Sequence, residues 1–119
     1  MRRVFWTSLC LSAMACVAGC ASHAGNDECL LNLPKSCPDQ TLTYASGVAP
    51  ILDTSCSPCH APGGVESTVP LTNYTQVSNR LTSIAGQLQT CSMPPAGAAP
   101  LAASDRQTII DWIACRAPP

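Results

Sequence analysis

Aromatic and charged residues are scarce in this chain. Its 119 residues include two Trp, two Tyr and one Phe, and charged residues make up 11%. With so few large rings, a domain of this size lacks the bulk that usually fills a core. Such domains often draw on disulfides, a metal or a cofactor instead. Lys and Arg together number six, and their only cluster is Arg2-Arg3. Without a basic stripe, nothing points to nucleic acid as a partner. Histidine occurs twice and methionine three times. No segment alternates in the two-residue rhythm of a half-buried strand, and no internal repeat is present. Cysteine, by contrast, is abundant. Nine in 119 residues is a density typical of an oxidising compartment.

The first twenty residues, MRRVFWTSLCLSAMACVAGC, have the make-up of a secretory signal: two arginines, an apolar stretch, then small residues. Thr and Ser within the apolar stretch, and the small-residue site that follows, make it a poor permanent membrane span. Val17-Ala18-Gly19-Cys20 resembles the bacterial lipobox. The resemblance implies cleavage before Cys20 and lipid attachment to it; ordinary cleavage near Ala21 or a retained anchor is the alternative. By the same resemblance, Ala21 in place of Asp favours the outer membrane, with the domain facing the periplasm. The expected organisation is a signal over 1–19, a tether over 20–41 and a folded domain over 42–119. From residue 20 onward, Lys35, Arg80, Arg106 and Arg116 stand against seven acids, a net charge of −3.

Residues 21–41 are polar and turn-rich. Cys29 and Cys37, eight apart and bracketing Pro34, predict a small disulfide loop, with two exposed free thiols as the alternative. A first helix is expected from about Tyr44 to Asp53, with Thr43 as its N-cap and Pro50 as an awkward interior residue. Tyr44, Val48, Ile51 and Leu52 recur at helical spacing. A second helical region over about 73–89 carries the stripe Tyr74, Val77, Leu81, Ile84, Leu88, read as core, and forms either one helix or two. Three prolines and a glycine exclude regular structure over 91–103. The last helix is expected to start at a Ser104–Gln107 capping box, to bury Ile109, Ile110, Trp112 and Ile113, and to end at Pro118-Pro119.

TSCSPCHAPGG, residues 54–64, sets two thiols and an imidazole within five positions. Cys56-x-x-Cys59-His60 is the attachment signature of heme c. Two cysteines three apart at the end of a helical turn each form a thioether to one porphyrin edge, and the next residue presents its imidazole to the iron. Zinc is the first rival, but a structural zinc site needs four ligands. His23, the only other histidine after residue 20, lies beside Cys20. A thiol–disulfide redox pair is the second rival. It calls for a preceding strand and a βαβ context, and neither is present. For the iron's sixth ligand, Met93 is the only methionine after residue 20, and Pro94 and Pro95 stiffen the loop that carries it. Lys35 and His23 are the poorer candidates.

Cys56–His60, Met93-Pro94-Pro95 and the terminal helix together resemble the class I c-type cytochromes over about residues 42–116. The resemblance implies an all-α fold of three to four helices around one covalently bound heme c, Fe(III)/Fe(II) electron carriage and redox proteins as partners. It implies that the first and last helices cross near Gly47 and Ile51, facing Ile109 and Trp112. It also implies a proline carbonyl, assigned to Pro70, holding the second nitrogen of His60. The family's lysine ring is absent and the His-to-Met segment is short. Cys91 and Cys115 are additional to the family pattern and are expected to pair with each other, pinning the ligand loop to the last helix. The reading is a carrier rather than an enzyme, because two protein ligands leave the iron no open position. The alternatives are a heme enzyme or gas or redox sensor with a labile sixth ligand, and a heme-free lipoprotein domain stapled by disulfides.

Overall fold

The computed structural model describes Cys29 and residues 32–119; the signal and Cys20 lie outside the described residues. What is described is all-α, with no strand. A π-helical turn, Tyr44–Val48, leads into α1 (Ala49–Ser55). Then come α2 (Ser57–His60), α3 (Tyr74–Ser78), α4 (Leu81–Gln89) and α5 (Ala103–Ala114). No helix among the described residues is long and apolar enough to cross a membrane.

Thr43 caps the first helix as expected. The Ser46 amide donates to Thr43 Oγ1 at 3.2 Å, and the Thr43 amide donates back to Ser46 Oγ at 3.3 Å. Pro50 sits in the first turn of α1, where a missing N–H costs nothing, because a wider π-helical turn precedes it. The 73–89 region is two helices sharing one apolar stripe. Asn73 caps α3, its Oδ1 accepting from the Gln76 amide at 3.0 Å, and the chain breaks at Asn79-Arg80.

The last helix departs from expectation at its start. It begins at Ala103, with Ala102 as a cap that offers no side-chain bond. The Ser104–Gln107 box is not formed. Ser104 lies inside the first turn, and its carbonyl accepts from Thr108 Oγ1 at 2.9 Å, while Gln107 Nε2 donates to Asp111 Oδ1 at 2.7 Å. The buried side chain of Leu101 brings the chain onto the core just ahead of Ala102, and helical bonding starts with the Arg106 amide on the Ala102 carbonyl.

Val48, Leu52, Val77, Ile109, Ile110 and Trp112 are the largest fully buried side chains. The Tyr44–Val48 turn and α5 approach at Gly47: a Cβ there would meet the tip of the Leu42 side chain and lie 3.7 Å from Thr108 Cγ2. All three aromatic residues after residue 20 meet at this junction. The rings of Tyr44 and Tyr74 are 5.6 Å apart, those of Tyr44 and Trp112 5.9 Å, and those of Tyr74 and Trp112 6.5 Å. After α5 the chain reverses through Arg116 (φ +66°) and Ala117 (φ +49°). That turn delivers the Pro118 carbonyl to two donors, the Tyr44 amide at 2.9 Å and Trp112 Nε1 at 2.7 Å. The Ala117 carbonyl accepts from the Tyr74 hydroxyl at 3.0 Å. Three elements are thereby fastened to one short tail.

Four of the cysteines form two disulfides, but in a different pairing from the expected one. Cys29 bonds Cys91 and Cys37 bonds Cys115, across 62 and 78 residues. The local Cys29–Cys37 loop and the Cys91–Cys115 bridge are both absent. Cys29 and Cys37, on either side of Pro34, instead reach different partners in the second half of the domain. Four cysteines admit three pairings, and spacing alone does not choose between them. Bridges that close long loops constrain the unfolded chain more, on a scale of about 2–4 kcal/mol each.

Trp112→Ala opens a large cavity and leaves the Pro118 carbonyl with one donor fewer. The expected cost is about 3–5 kcal/mol, measured by urea unfolding.

Candidate functional site

The Cys56–His60 segment continues the first helix by one tight turn. The Cys56 amide donates to the Leu52 carbonyl at 2.9 Å and the His60 amide to the Cys56 carbonyl at 2.9 Å. Cys56 and Cys59 are therefore held one turn apart on a helical frame, with His60 immediately after. Among the described residues these two are the cysteines outside a disulfide, and both are half-buried.

The chain then turns sharply. Gly63 has φ +89°, and at Gly64 a Cβ would overlap the Cys59 carbonyl oxygen, lying 2.6 Å from its carbon and 3.0 Å from the Pro58 oxygen. Only glycine fits there, because the obstacle is backbone and cannot rotate away. This close pass lets the Glu66 amide donate to the Cys59 carbonyl at 2.9 Å, and the Val69 amide then donates to the Glu66 carbonyl at 2.9 Å.

The result is a two-point clip on His60. Its Nδ1 donates to the Val69 carbonyl at 2.8 Å, and its own carbonyl accepts from the Leu71 amide at 3.1 Å. A carbonyl only accepts, so Nδ1 carries the hydrogen. In the neutral ring the lone pair is then on Nε2, the nitrogen free to bind a metal. The acceptor corrects the expectation for Pro70. The turn through Glu66 brings the preceding carbonyl, that of Val69, to the ring, and Pro70 sits between the two clip contacts.

Two contiguous cavities, of about 190 and 370 Å³, flank this segment. Cys56, His60, Glu66, Leu88 and Met93 line both. Leu52, Leu71, Ile84 and Ile109 add to the apolar wall of the smaller one, and Cys59, Pro94, Pro95 and Leu101 to the larger. Met93 thus faces the same cleft as His60 from a separate loop. That loop hangs from the end of α4, where the Ser92 and Met93 amides both donate to the Gln87 carbonyl, at 3.0 and 3.4 Å. Burial and the neighbouring Cys59 push the Cys56 thiol up to about 11 from its ordinary 9.0.

Sequence reasoning missed three residues here. Arg80 and Glu66 line the smaller cavity, and nothing in their local sequence marks them. Arg106 is 6% exposed, and its Nε has no hydrogen-bond partner. It lies one turn before Ile109, which lines the cleft. No group of three or more His, Cys, Asp or Glu side chains converges as a metal site among the described residues. No protein-family model matches the chain, and neither a curated protein nor a solved structure matches it.

Two outcomes follow. Gly64→Ala costs about 1–3 kcal/mol in urea unfolding through overpacking on backbone, whereas Gly47→Ala stays within about 1 kcal/mol of the parent because the Leu42 tip can swing aside. In unloaded protein, alkylation of Cys56 by iodoacetamide rises with pH to a midpoint near 11. The folded thiol holds its proton more tightly than the unfolded one. Its contribution to stability is therefore complete below pH 9.0 and lost as pH rises towards 11.

Proposed function

We propose that the chain is a small c-type cytochrome that carries single electrons at the bacterial cell envelope and catalyses no reaction of its own. Cys56 and Cys59 would hold one heme c through thioethers, and His60 Nε2 and the Met93 thioether would ligate its iron. The observation that carries this reading is the His60 clip. It frees Nε2 in an apolar cleft whose lip bears two unbridged cysteines and whose other wall bears a methionine.

The residues present fit the group. The cleft presents mainly apolar surface, as a porphyrin face requires, and Arg80 at the smaller cavity is a cation suited to a carboxylate. Heme, when bound, supplies a one-electron Fe(III)/Fe(II) couple. The chain supplies the rest. The Val69 carbonyl orients the imidazole and strengthens it as a donor. A Met93 thioether serving with His60 as an iron ligand would favour the ferrous state and raise the potential. Leu52, Leu88 and Ile109 keep water from that side of the site. Two protein ligands leave no open position for a substrate, which supports a carrier over a catalyst. The lipobox resemblance supports attachment to the membrane through Cys20, facing the periplasm, with soluble or membrane redox proteins as partners.

Expression with a working cytochrome-maturation apparatus is expected to give a product that stains for heme after denaturing electrophoresis; a colourless product overturns the proposal. Met93→Ala retains covalent heme, loses the weak far-red ferric band of iron–thioether ligation and gains rapid CO binding. Rapid CO binding by the parent protein instead favours an enzyme or gas sensor with a labile sixth ligand.

A further inference from the structure

We infer that Cys29, remote in sequence from the site, is a positioning residue for Met93 and acts through its bridge to Cys91. The inference rests on Met93 being the iron's sixth ligand. Cys91 stands two residues before Met93, at the point where α4 gives way to the ligand loop. It is held at φ +51°, the left-handed region that a side chain other than glycine or asparagine seldom occupies. An unfavourable backbone conformation persists where surrounding structure imposes it. The Cys29–Cys91 disulfide, with Cα atoms 5.2 Å apart, is the covalent tie at that residue.

The turn at Cys91 sets the direction in which the chain leaves α4. The Cys91 amide donates to the Leu88 carbonyl at 3.3 Å, and the Ser92 and Met93 amides fold back onto the Gln87 carbonyl. Two of the residues beneath this turn are themselves in the cleft: Gln87 lines the smaller cavity and Leu88 both. Beyond Met93, the Ala98 amide donates to the Pro95 carbonyl at 3.0 Å, a bond internal to the loop. The backbone bond of Met93 itself is thus to α4, and the bridge ties that side of the loop, while buried Leu101 anchors the other. The second disulfide, Cys37–Cys115, lies at the end of α5, and neither of its cysteines lines the cleft. It offers an internal control of similar loop length.

The test compares the heme-loaded Cys29→Ser/Cys91→Ser protein with heme-loaded Cys37→Ser/Cys115→Ser. Two signals are read in each: amide hydrogen exchange of Ser92 and Met93, and the ferric far-red band with CO binding. Loss of either bridge lowers the melting temperature, so thermal stability alone does not discriminate. The expected result is that only the first variant speeds exchange at Ser92 and Met93, by about tenfold or more, and gains CO binding. Equal effects in the two variants, or no effect in the first, overturn the inference. A third variant, Cys29→Ser/Cys91→Gly, accepts the left-handed turn without strain and guards against failure of the first to fold. Parent-like protection and a parent-like band there assign the positioning to the turn alone and overturn the role of Cys29; fast exchange and CO binding support it. Failure of the heme reading itself is seen separately, as absence of covalent heme in every variant.

Discussion

The site depends on a single hydrogen bond, from His60 Nδ1 to the Val69 carbonyl. A histidine at the end of a helical turn has two nitrogens and several rotamers open to it. Committing one nitrogen to a backbone acceptor removes that freedom and decides which nitrogen has a lone pair to offer. The acceptor is in place because the intervening chain is laid tightly on Cys59, and that is possible because position 64 has no side chain. The geometry of His60 thus traces to a glycine four residues further along the chain.

The cleft is built into the core rather than set upon it. Leu52, Leu88 and Ile109 are buried in the helical packing and also line the smaller cavity. The domain has just three aromatic residues after residue 20, all gathered at the junction of the first and last helices, and no large ring remains for the cleft side. The first and last helices, the aromatic cluster and the two long-range disulfides carry the frame, and a flat apolar guest would complete the packing on the cleft side.

How much of this was legible depended on how local the cause was. Cys56, Cys59 and His60 share one turn, so their spacing was sufficient. Met93, singled out because it has no competitor of its type, lines the same cleft as His60. The Thr43 cap was legible because the reciprocal bond spans three residues. The Val69 carbonyl was not, since a one-residue difference in the turn after His60 decides whether residue 69 or 70 faces the ring, and the residues from 61 to 68 set that register. The disulfide pairing was not, because it depends on where the 29–37 segment runs. The start of α5 was missed because the burial of Leu101, a tertiary event, outweighed a good local cap at Ser104.

The Pro118 carbonyl receives both the Tyr44 amide and the Trp112 indole. The junction of the first and last helices is therefore sealed from the far end of the domain. Contacts of such long sequence separation close late in folding. On the proposed reading this order is useful. The turn that would accept a bulky group lies next to the first helix, and the bonds that seal the helix junction beside it belong to that late-closing class.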